Sequence, residues 1–246
     1  MRRTPAAGSG LGVYAAAVPL LLRNPSIIVI PLLMAVIGVL VGLALAPSSG
    51  GIAGGLTAGL GGFIVLLLEL FGLGTACIIA DDAWRHGRAS FDDGWNEARR
   101  RGGEILFAAL GMTFVFWVAQ YAGALIGGFI PFFGQLLMAV AAVFLIWVIP
   151  AAAVGGVPGG AAIQISLDRV RANPVTAIIL TVIVIALFVF ALPLAEVRIS
   201  VALLPYSGGF TMLGALVGAV LQAIALGYVA LVLTKTYTDA SFTRRW

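Results

Sequence analysis

Six apolar runs, each as long as a membrane is thick, constrain this chain more than any other feature. They cover residues 26–46, 56–80, 104–129, 135–154, 174–194 and 210–233. A helix needs about 20 apolar residues to cross about 30 Å of hydrocarbon, and each run has that length. In lipid the backbone must satisfy its own hydrogen bonds, so such runs fold as helices. The sequence therefore predicts an all-α integral membrane protein, with six transmembrane helices paired as three hairpins.

The composition excludes some partners and cofactors. Hydrophobic residues make up 61% of the chain and charged residues 10%, against about 25% charged in soluble domains. The net charge of +4 is spread over several membrane-flanking segments, whereas a nucleic-acid-binding protein concentrates its cations on one face. We expect no nucleic-acid partner. The single cysteine, Cys77, lies in an apolar run and excludes a disulfide within the chain.

The distribution of lysine and arginine predicts the orientation. The three connections assigned to the outside contain one basic residue, Arg198. Basic residues concentrate on the cytoplasmic side of membrane proteins. Both termini are therefore predicted to be cytoplasmic in a multi-pass protein. The other basic residues fall on the cytoplasmic side: Arg2, Arg3, Arg23, Arg85, Arg88, Arg99, Arg100, Arg101, Arg169, Arg171, Lys235, Arg244 and Arg245.

The segments between the hairpins complete a single polytopic domain. Residues 1–25 are predicted to form an interfacial helix on the cytoplasmic surface, although a signal peptide would have a similar pattern. The hairpins cover 26–80, 104–154 and 174–233, the cytoplasmic stems 81–103 and 155–173, and the tail 234–246. In the first helix, one apolar face comprises Leu11, Tyr14, Val18 and Leu22.

Each cytoplasmic stem contains a short amphipathic pattern. Ser90 and Asp93 have the spacing of a helix-capping pair, and Glu97 and Arg101 are placed for an i,i+4 ion pair. In the second stem, one face comprises Ile163, Ser166, Leu167 and Val170. Both stems are too short and too polar to span, so we expect them at the cytoplasmic interface or folded under the bundle.

The chain shows signs of an internal repeat. Arg23-Asn24-Pro25 and Arg171-Ala172-Asn173-Pro174 each precede an apolar run. With the segment 98–103, they suggest three parallel units, each a stem, an arginine and a hairpin. The alternative is that any membrane hairpin has a basic residue before its first helix. That alternative explains the arginines but not the repeated Asn-Pro.

Polar residues inside the apolar runs are the candidates for function. Glu69 lies in the second run, and a carboxyl group at that depth is costly unless it is paired or functional. Gln120 and Gln222, in the third and sixth runs, are its possible partners. Glu69 could bind a cation, relay a proton, or make a structural hydrogen bond.

Catalytic and metal-binding patterns are weak. Asp82 and His86 have i,i+4 spacing, but neighbouring arginines would oppose a cation, and we expect no metal and no cofactor. No metalloprotease, phosphate-loop or nucleophile motif is present. Glycine pairs at small-xxx-small spacing favour close helix packing. These pairs are Gly55/Gly59, Gly123/Gly127, Gly155/Gly159 and Gly214/Gly218.

Several motifs resemble a group of prokaryotic six-helix membrane proteins. They are Leu22-Arg-Asn-Pro-Ser with Ile30-Pro31, the stem Ala89-Ser-Phe-Asp-Asp-Gly-Trp-Asn-Glu-Ala-Arg, the segment Ala161–Asn173 with its Ala-Ile-x-x-Ser core, and Tyr228 and Tyr237. The group includes the membrane domain that accompanies some glycerophosphodiester phosphodiesterases, and stand-alone relatives. The resemblance implies a six-helix module with interfacial stems, and it carries no activity because the phosphodiesterase domain is absent.

The sequence therefore favours a non-catalytic membrane module that contacts lipids, a second copy or a membrane protein partner. The alternative is a channel or transporter for a small solute or ion, with Glu69 on its pathway. An intramembrane enzyme is the least favoured reading. The expected cytoplasmic contact surface comprises Trp84, Trp95, Arg99, Arg100, Arg101, Arg169 and Arg171.

Overall fold

The computed structural model describes residues 12–45, 52–127, 132–191 and 210–242. These ranges contain ten α-helices and no strand. A π-helical turn, Ala186–Ala191, continues the ninth helix. The α-helices are α1 (Gly12–Arg23), α2 (Ser26–Ala44), α3 (Ile52–His86), α4 (Phe91–Arg100), α5 (Gly102–Gly127), α6 (Phe133–Leu145), α7 (Val148–Ala153), α8 (Gly159–Ala172), α9 (Pro174–Ile185) and α10 (Phe210–Phe242).

Five spans in the described ranges are long and apolar enough to cross a membrane. A sixth is present if α8 and α9, which meet at a bend of 111°, count as one broken span. The prediction of an all-α integral membrane protein is confirmed. The five spans are Ser26–Ala44, Thr57–His86, Gly102–Gly123, Phe133–Ala153 and Leu216–Ala240.

Two helices are longer than the apolar pattern predicted. The segment from 81 to 86 was expected to begin a polar loop, yet it is the last part of α3. Ion pairs of i,i+4 spacing, Asp81–Arg85 at 2.7 Å and Asp82–His86 at 2.6 Å, stabilise this extension. At the other end of the chain, α10 runs through the expected tail to Phe242 and carries a Lys235–Asp239 pair. A hydropathy pattern detects only the apolar part of a helix, so it did not predict these charged ends of α3 and α10.

The fourth span is broken near its end. The helix expected over 135–154 is α6 followed by α7, with a break at Ile146 and Trp147. Pro150 accounts for the break because it has no N–H to donate to the carbonyl four residues earlier. Ser166 of α8 fills the gap, since its Oγ accepts from the Trp147 amide at 3.2 Å and donates to the Phe144 carbonyl at 2.8 Å.

The first stem folds as its local sequence predicted. Ser90 is the N-cap of α4, and its Oγ accepts from the Asp93 amide at 3.4 Å. The predicted Glu97–Arg101 ion pair forms at 2.6 Å, and Arg100 also pairs with Glu97. Local spacing was sufficient here because every partner lies within one helical turn.

The second stem is α8, and it packs more deeply than a surface helix. Its buried residues are Gly159, Ala162, Ser166 and Val170. A Cβ on Gly159 would lie 2.7 Å from Phe107 Cβ, so the start of α8 touches the backbone of α5. Of the predicted apolar face, Ser166 and Val170 are buried, and Ile163 and Leu167 are half-buried.

The helix α1 packs against the bundle through residues other than the apolar face that the sequence predicted for an interfacial helix. Val13, Ala17 and Leu21 are buried, whereas Val18 and Leu22 are exposed. Both ends of α1 contact the same stretch of α10: Tyr228 Oη donates to the Tyr14 carbonyl at 3.3 Å, and Leu21 lies against Gly227. The exposed apolar side chains are therefore left for lipid.

The helices form two packed groups. The long helices α3 and α10 contact each other and α2, while α5 packs against α6 and α8. α7 contacts both α3 and α5, so the buried core is continuous between the groups. At the α5–α6 crossing, Gly123 and Gly134 bring the two backbones together.

Some predicted features lie outside the described residues. They are the last residues of the fifth run, the outside connection that contains Arg198, and Arg2, Arg3, Leu11, Arg244 and Arg245.

Candidate functional site

The acidic residue inside the membrane region is paired across a helix interface. Glu69 lies at the midpoint of α3. The side chain of Gln222, on α10, lies close to its carboxyl group, and Glu69 is half-buried. An amide can donate to a carboxyl oxygen and accept from a carboxylic acid, so Gln222 is a suitable neighbour for Glu69 in either protonation state. Of the two glutamines named from the sequence, the structure brings Gln222 to Glu69.

Gln120 lies elsewhere, in a cleft between α3, α5 and α6. The cleft has a volume of about 400 Å³. Its α3 wall is built from small and apolar residues between Ala58 and Leu66, so Glu69 is not part of the described lining. Met138 contributes from α6. The α5 wall carries Thr113, Phe116, Trp117, Gln120 and Tyr121.

A second cavity of about 350 Å³ adjoins this cleft. The two cavities share Gly59, Phe63, Trp117 and Tyr121 as lining residues. The rings of Trp117 and Tyr121 meet edge to face, with centroids 4.5 Å apart. Together the cavities form an aromatic groove at the end of the bundle away from the stems. We call it the α3–α5 groove.

At the end of the bundle where the stems lie, Arg101 binds the C-terminal end of α7. Its Nη1 donates to the carbonyls of Ala153 and Val154 at 2.8 and 2.9 Å, while its Nε pairs with Glu97 at 2.6 Å. Carbonyls at a helix C-terminus have no partner within the helix, and a cation there also interacts favourably with the helix dipole. Arg101 therefore joins α4 to the fourth span.

Arg169 makes a similar contact with the end of α10. Its guanidinium donates to the Tyr237 carbonyl and lies 3.4 Å above the centroid of the Tyr237 ring. Nearby, Trp84 Nε1 donates to the Leu231 carbonyl at 2.9 Å, and Lys235 lies 5.9 Å from the Trp84 ring. These contacts tie α3, α8 and α10 together at the stem end.

Some residues of the expected cytoplasmic contact surface bond within the bundle, and others are exposed. Trp84, Arg101 and Arg169 are engaged within the bundle. Trp95 is half-buried. Exposed on the stems are Arg99, Arg100 and Arg171.

Sequence reasoning did not predict the hydrogen bonds of the buried hydroxyls. Ser166 spans the break in the fourth span, and Thr236 accepts from Trp147 Nε1 at 3.3 Å. Thr113 and Tyr121, which line the groove, were also missed. The spacing of Thr113 and Gln120, seven residues apart on one helix face, is the signal that could have identified the α5 wall.

Metal binding finds no support in the part of the chain that the structure describes, where no group of three or more acidic, histidine or cysteine side chains is assembled. Asp82 and His86 bond to each other at 2.6 Å.

By fold, the chain is an all-α, multi-pass membrane protein. No family model matches the sequence, no curated protein matches it, and no solved structure matches the fold.

Proposed function

We propose that this chain is a non-catalytic polytopic membrane module that acts through contacts with lipids, a second copy or a membrane protein partner. The observation that carries the proposal is the position of Glu69 beside Gln222, where α3 packs against α10. An acidic residue on a transport pathway faces a water-filled cavity with other polar groups. Glu69 instead has a neutral partner on the neighbouring helix.

The packing beyond Glu69 also favours a closed interior. All nine residues of α3 from 72 to 80 are buried. The described lining of the α3–α5 groove ends at Leu66, before Glu69 is reached. A path along α3 from the groove to the stem end would have to cross this packed stretch. The interior therefore suits a module better than a channel.

The outer surfaces supply the contacts for the proposed role. α5 and α9 present exposed apolar side chains such as Phe107 and Val175, which suit lipid or an apolar partner. Arg99, Arg100 and Arg171 are exposed on the stems, where arginine suits lipid phosphates or an acidic partner. We further propose that the stems and both termini are cytoplasmic.

The resemblance to the membrane domain of glycerophosphodiester phosphodiesterases supports this proposal. In such an arrangement the helical module accompanies the catalytic part and does not perform the chemistry. We propose the same division for this chain, so that an enzyme or receptor acting at the membrane is the kind of partner to seek.

A flux measurement tests the proposal against a channel or transporter that uses Glu69. The purified protein is reconstituted into vesicles loaded with a pH-sensitive dye, and proton and potassium fluxes are compared with those of protein-free vesicles. The module predicts equal fluxes for the parent protein and Glu69→Gln. A flux above the protein-free level that is lost in Glu69→Gln would overturn it.

A further inference from the structure

The joint between α1 and α2 brings two arginines together at the end of the bundle where the stems lie. Arg23 is the last residue of α1, and Arg88 belongs to the connector between α3 and α4. The side chain of Asn24 donates to the Gly87 carbonyl at 3.4 Å and accepts from the Ala89 amide at 2.8 Å. These two bonds flank Arg88, and consecutive Cα atoms are about 3.8 Å apart, so the Cα atoms of Arg23 and Arg88 lie within roughly 13 Å of each other. We call these two residues the joint arginines.

The joint arginines have no anionic partner within the part of the chain that the structure describes. Both side chains are exposed, and neither forms an ion pair with another described residue. The acidic residues that precede Arg88 are engaged within α3, where Asp81 pairs with Arg85 and Asp82 with His86. The two aspartates in the first turn of α4 do not pair with the joint arginines either. Their guanidinium groups are therefore available to an anion from outside the chain.

The joint lies at the depth of the lipid head groups. The first span begins at Ser26, three residues after Arg23. Apolar side chains flank the joint and face outwards, with Leu22 78% exposed on one side and Val29 46% exposed on the other. The head-group layer extends about 5–7 Å beyond the hydrocarbon on each side, a distance that an arginine side chain covers when it reaches towards the membrane surface. Phospholipid phosphates are the anions present at that depth.

The number of charges at the joint selects among lipid head groups. Arginine holds a phosphate through parallel N–H donors, which makes it well suited to this group. A zwitterionic lipid has one phosphate and one ammonium group, so its ammonium would approach the second arginine and be repelled. A lipid with a net negative head group brings no such cation. The two neighbouring positive charges therefore favour an anionic phospholipid.

We propose that the joint arginines bind the head group of an anionic phospholipid, whose acyl chains lie along the exposed side chains of Val18 and Leu22 on α1. The bound phosphate would bridge the α1–α2 joint and the α3–α4 connector, the two segments that Asn24 already connects. This inference rests on the proposed function in that it names the lipid class that the module contacts. It assigns that contact to residues outside the surface that the sequence predicted.

Native mass spectrometry of the protein in detergent tests the site. The Kd of the first bound lipid is measured with dioleoyl phosphatidylglycerol, which is anionic, and with dioleoyl phosphatidylcholine, which is zwitterionic. We expect the anionic lipid to bind more tightly to the parent protein. Arg23→Gln and Arg88→Gln should each raise its Kd about fivefold, and the double variant roughly 25-fold, because each arginine near the membrane surface contributes independently. The Kd of the zwitterionic lipid should not change.

Arg99→Gln is the matched control. Arg99 is also exposed and forms no ion pair with another described residue, and its neighbour Arg100 is paired with Glu97 at 2.6 Å. It therefore provides a single free cation without a second one held beside it. The substitution should change the Kd of the anionic lipid by less than about twofold. Thermal unfolding without added lipid verifies that each variant is folded.

Three results would overturn the proposal. The first is an equal Kd for the two lipids in the parent protein, a comparison that needs no variant. The second is a Kd raised as much by Arg99→Gln as by the joint arginine variants. The third is displacement of the anionic lipid by an equal concentration of inorganic phosphate, which would indicate a site for soluble phosphate.

The lipid titration and the flux measurement fail independently. If the joint arginines select no lipid, the module proposal stands, because the module can act through a second copy or a protein partner. A Glu69-dependent flux would end the module proposal without changing the Kd of either lipid.

Discussion

The side chain of Asn24 joins three pieces of backbone at the start of the first span. Its Nδ2 donates to the carbonyls of Leu20 and Gly87, at 2.9 and 3.4 Å, and its Oδ1 accepts from the Ala89 amide at 2.8 Å. The residue is 3% exposed. It therefore holds the connector between α3 and α4 against the joint of α1 and α2.

Asn173, in the second Asn-Pro motif, has no such role. It is half-buried at the bend between α8 and α9, and its side chain makes no capping hydrogen bond to α9. Pro25 is the N-cap of α2, whereas Pro174 is the first residue of α9 and Asn173 its N-cap, and only the first motif fixes a distant connector. The internal repeat is therefore supported by the sequence pattern alone, and it stays a prediction.

We expect Asn24→Ala to lower the free energy of unfolding by about 1–3 kcal/mol, because it removes three hydrogen bonds made by a side chain that is 3% exposed. Asn173→Ala is the matched control, and it should change stability by less than about 0.5 kcal/mol. Thermal unfolding of the purified protein in detergent measures both. Equal losses in the two variants would contradict this assignment.

Residue pairs close in sequence were predictable, and distant ones were not. The Ser90 cap and the Glu97–Arg101 ion pair follow from spacing within one helix. The choice between Gln120 and Gln222 as partner of Glu69 depends on which helices are neighbours, and spacing within a helix does not contain that information. Arg101 and Arg169 were assigned to an outer contact surface for the same reason.

At the scale of helices, the α5–α6 crossing has an asymmetric close contact. A Cβ on Gly123 would lie 2.1 Å from the Cα of Gly134, whereas a Cβ on Gly134 would lie 3.4 Å from the Cα of Gly123. The first distance is impossible without moving a backbone, and the second is an ordinary contact. Gly123, named from its spacing to Gly127, is thus a packing residue whose partner lies on the next helix.

We expect Gly123→Ala to destabilise the protein by about 1–3 kcal/mol, the usual cost of overpacking, because α5 and α6 must separate. Gly134→Ala, on the other side of the same contact, should cost less than about 1 kcal/mol. Thermal unfolding in detergent again measures the difference. The packing assignment fails if Gly134→Ala is the more damaging of the two.

The existence of the helices was predictable, but their ends were less so. Hydropathy located five of the six predicted spans, because a membrane requires a helix of that apolar length. The fifth predicted span is α9 with its π-helical turn, which counts as a span only together with α8. Hydropathy ended α3 near residue 80 and α10 near 233, since charged residues follow there, although the ion pairs of Asp81 and Lys235 continue both helices. The backbone groups left free at the break before Pro150 are bonded by Ser166, which comes from a different helix.

For the whole molecule, the central question is whether the interior is closed. α3 and α10 run beside each other with the Glu69–Gln222 pair between them, and residues 72–80 of α3 are buried. The groove on the other side of α3 is lined by aromatic and small residues. With such an architecture, the surfaces proposed to contact lipid or a partner lie on the outside of the bundle and on the stems.

Cysteine accessibility at position 69 tests the closed interior most directly. The native Cys77 is 0% exposed and is first replaced by alanine. Glu69→Cys is then compared in nanodiscs with Arg99→Cys, which is exposed, and Ile105→Cys, which is 0% exposed. A charged, membrane-impermeant methanethiosulfonate reagent labels the thiols that water reaches. A closed interior predicts that the thiol at 69 reacts no faster than the thiol at 105, whereas a rate close to that at 99 would contradict the account.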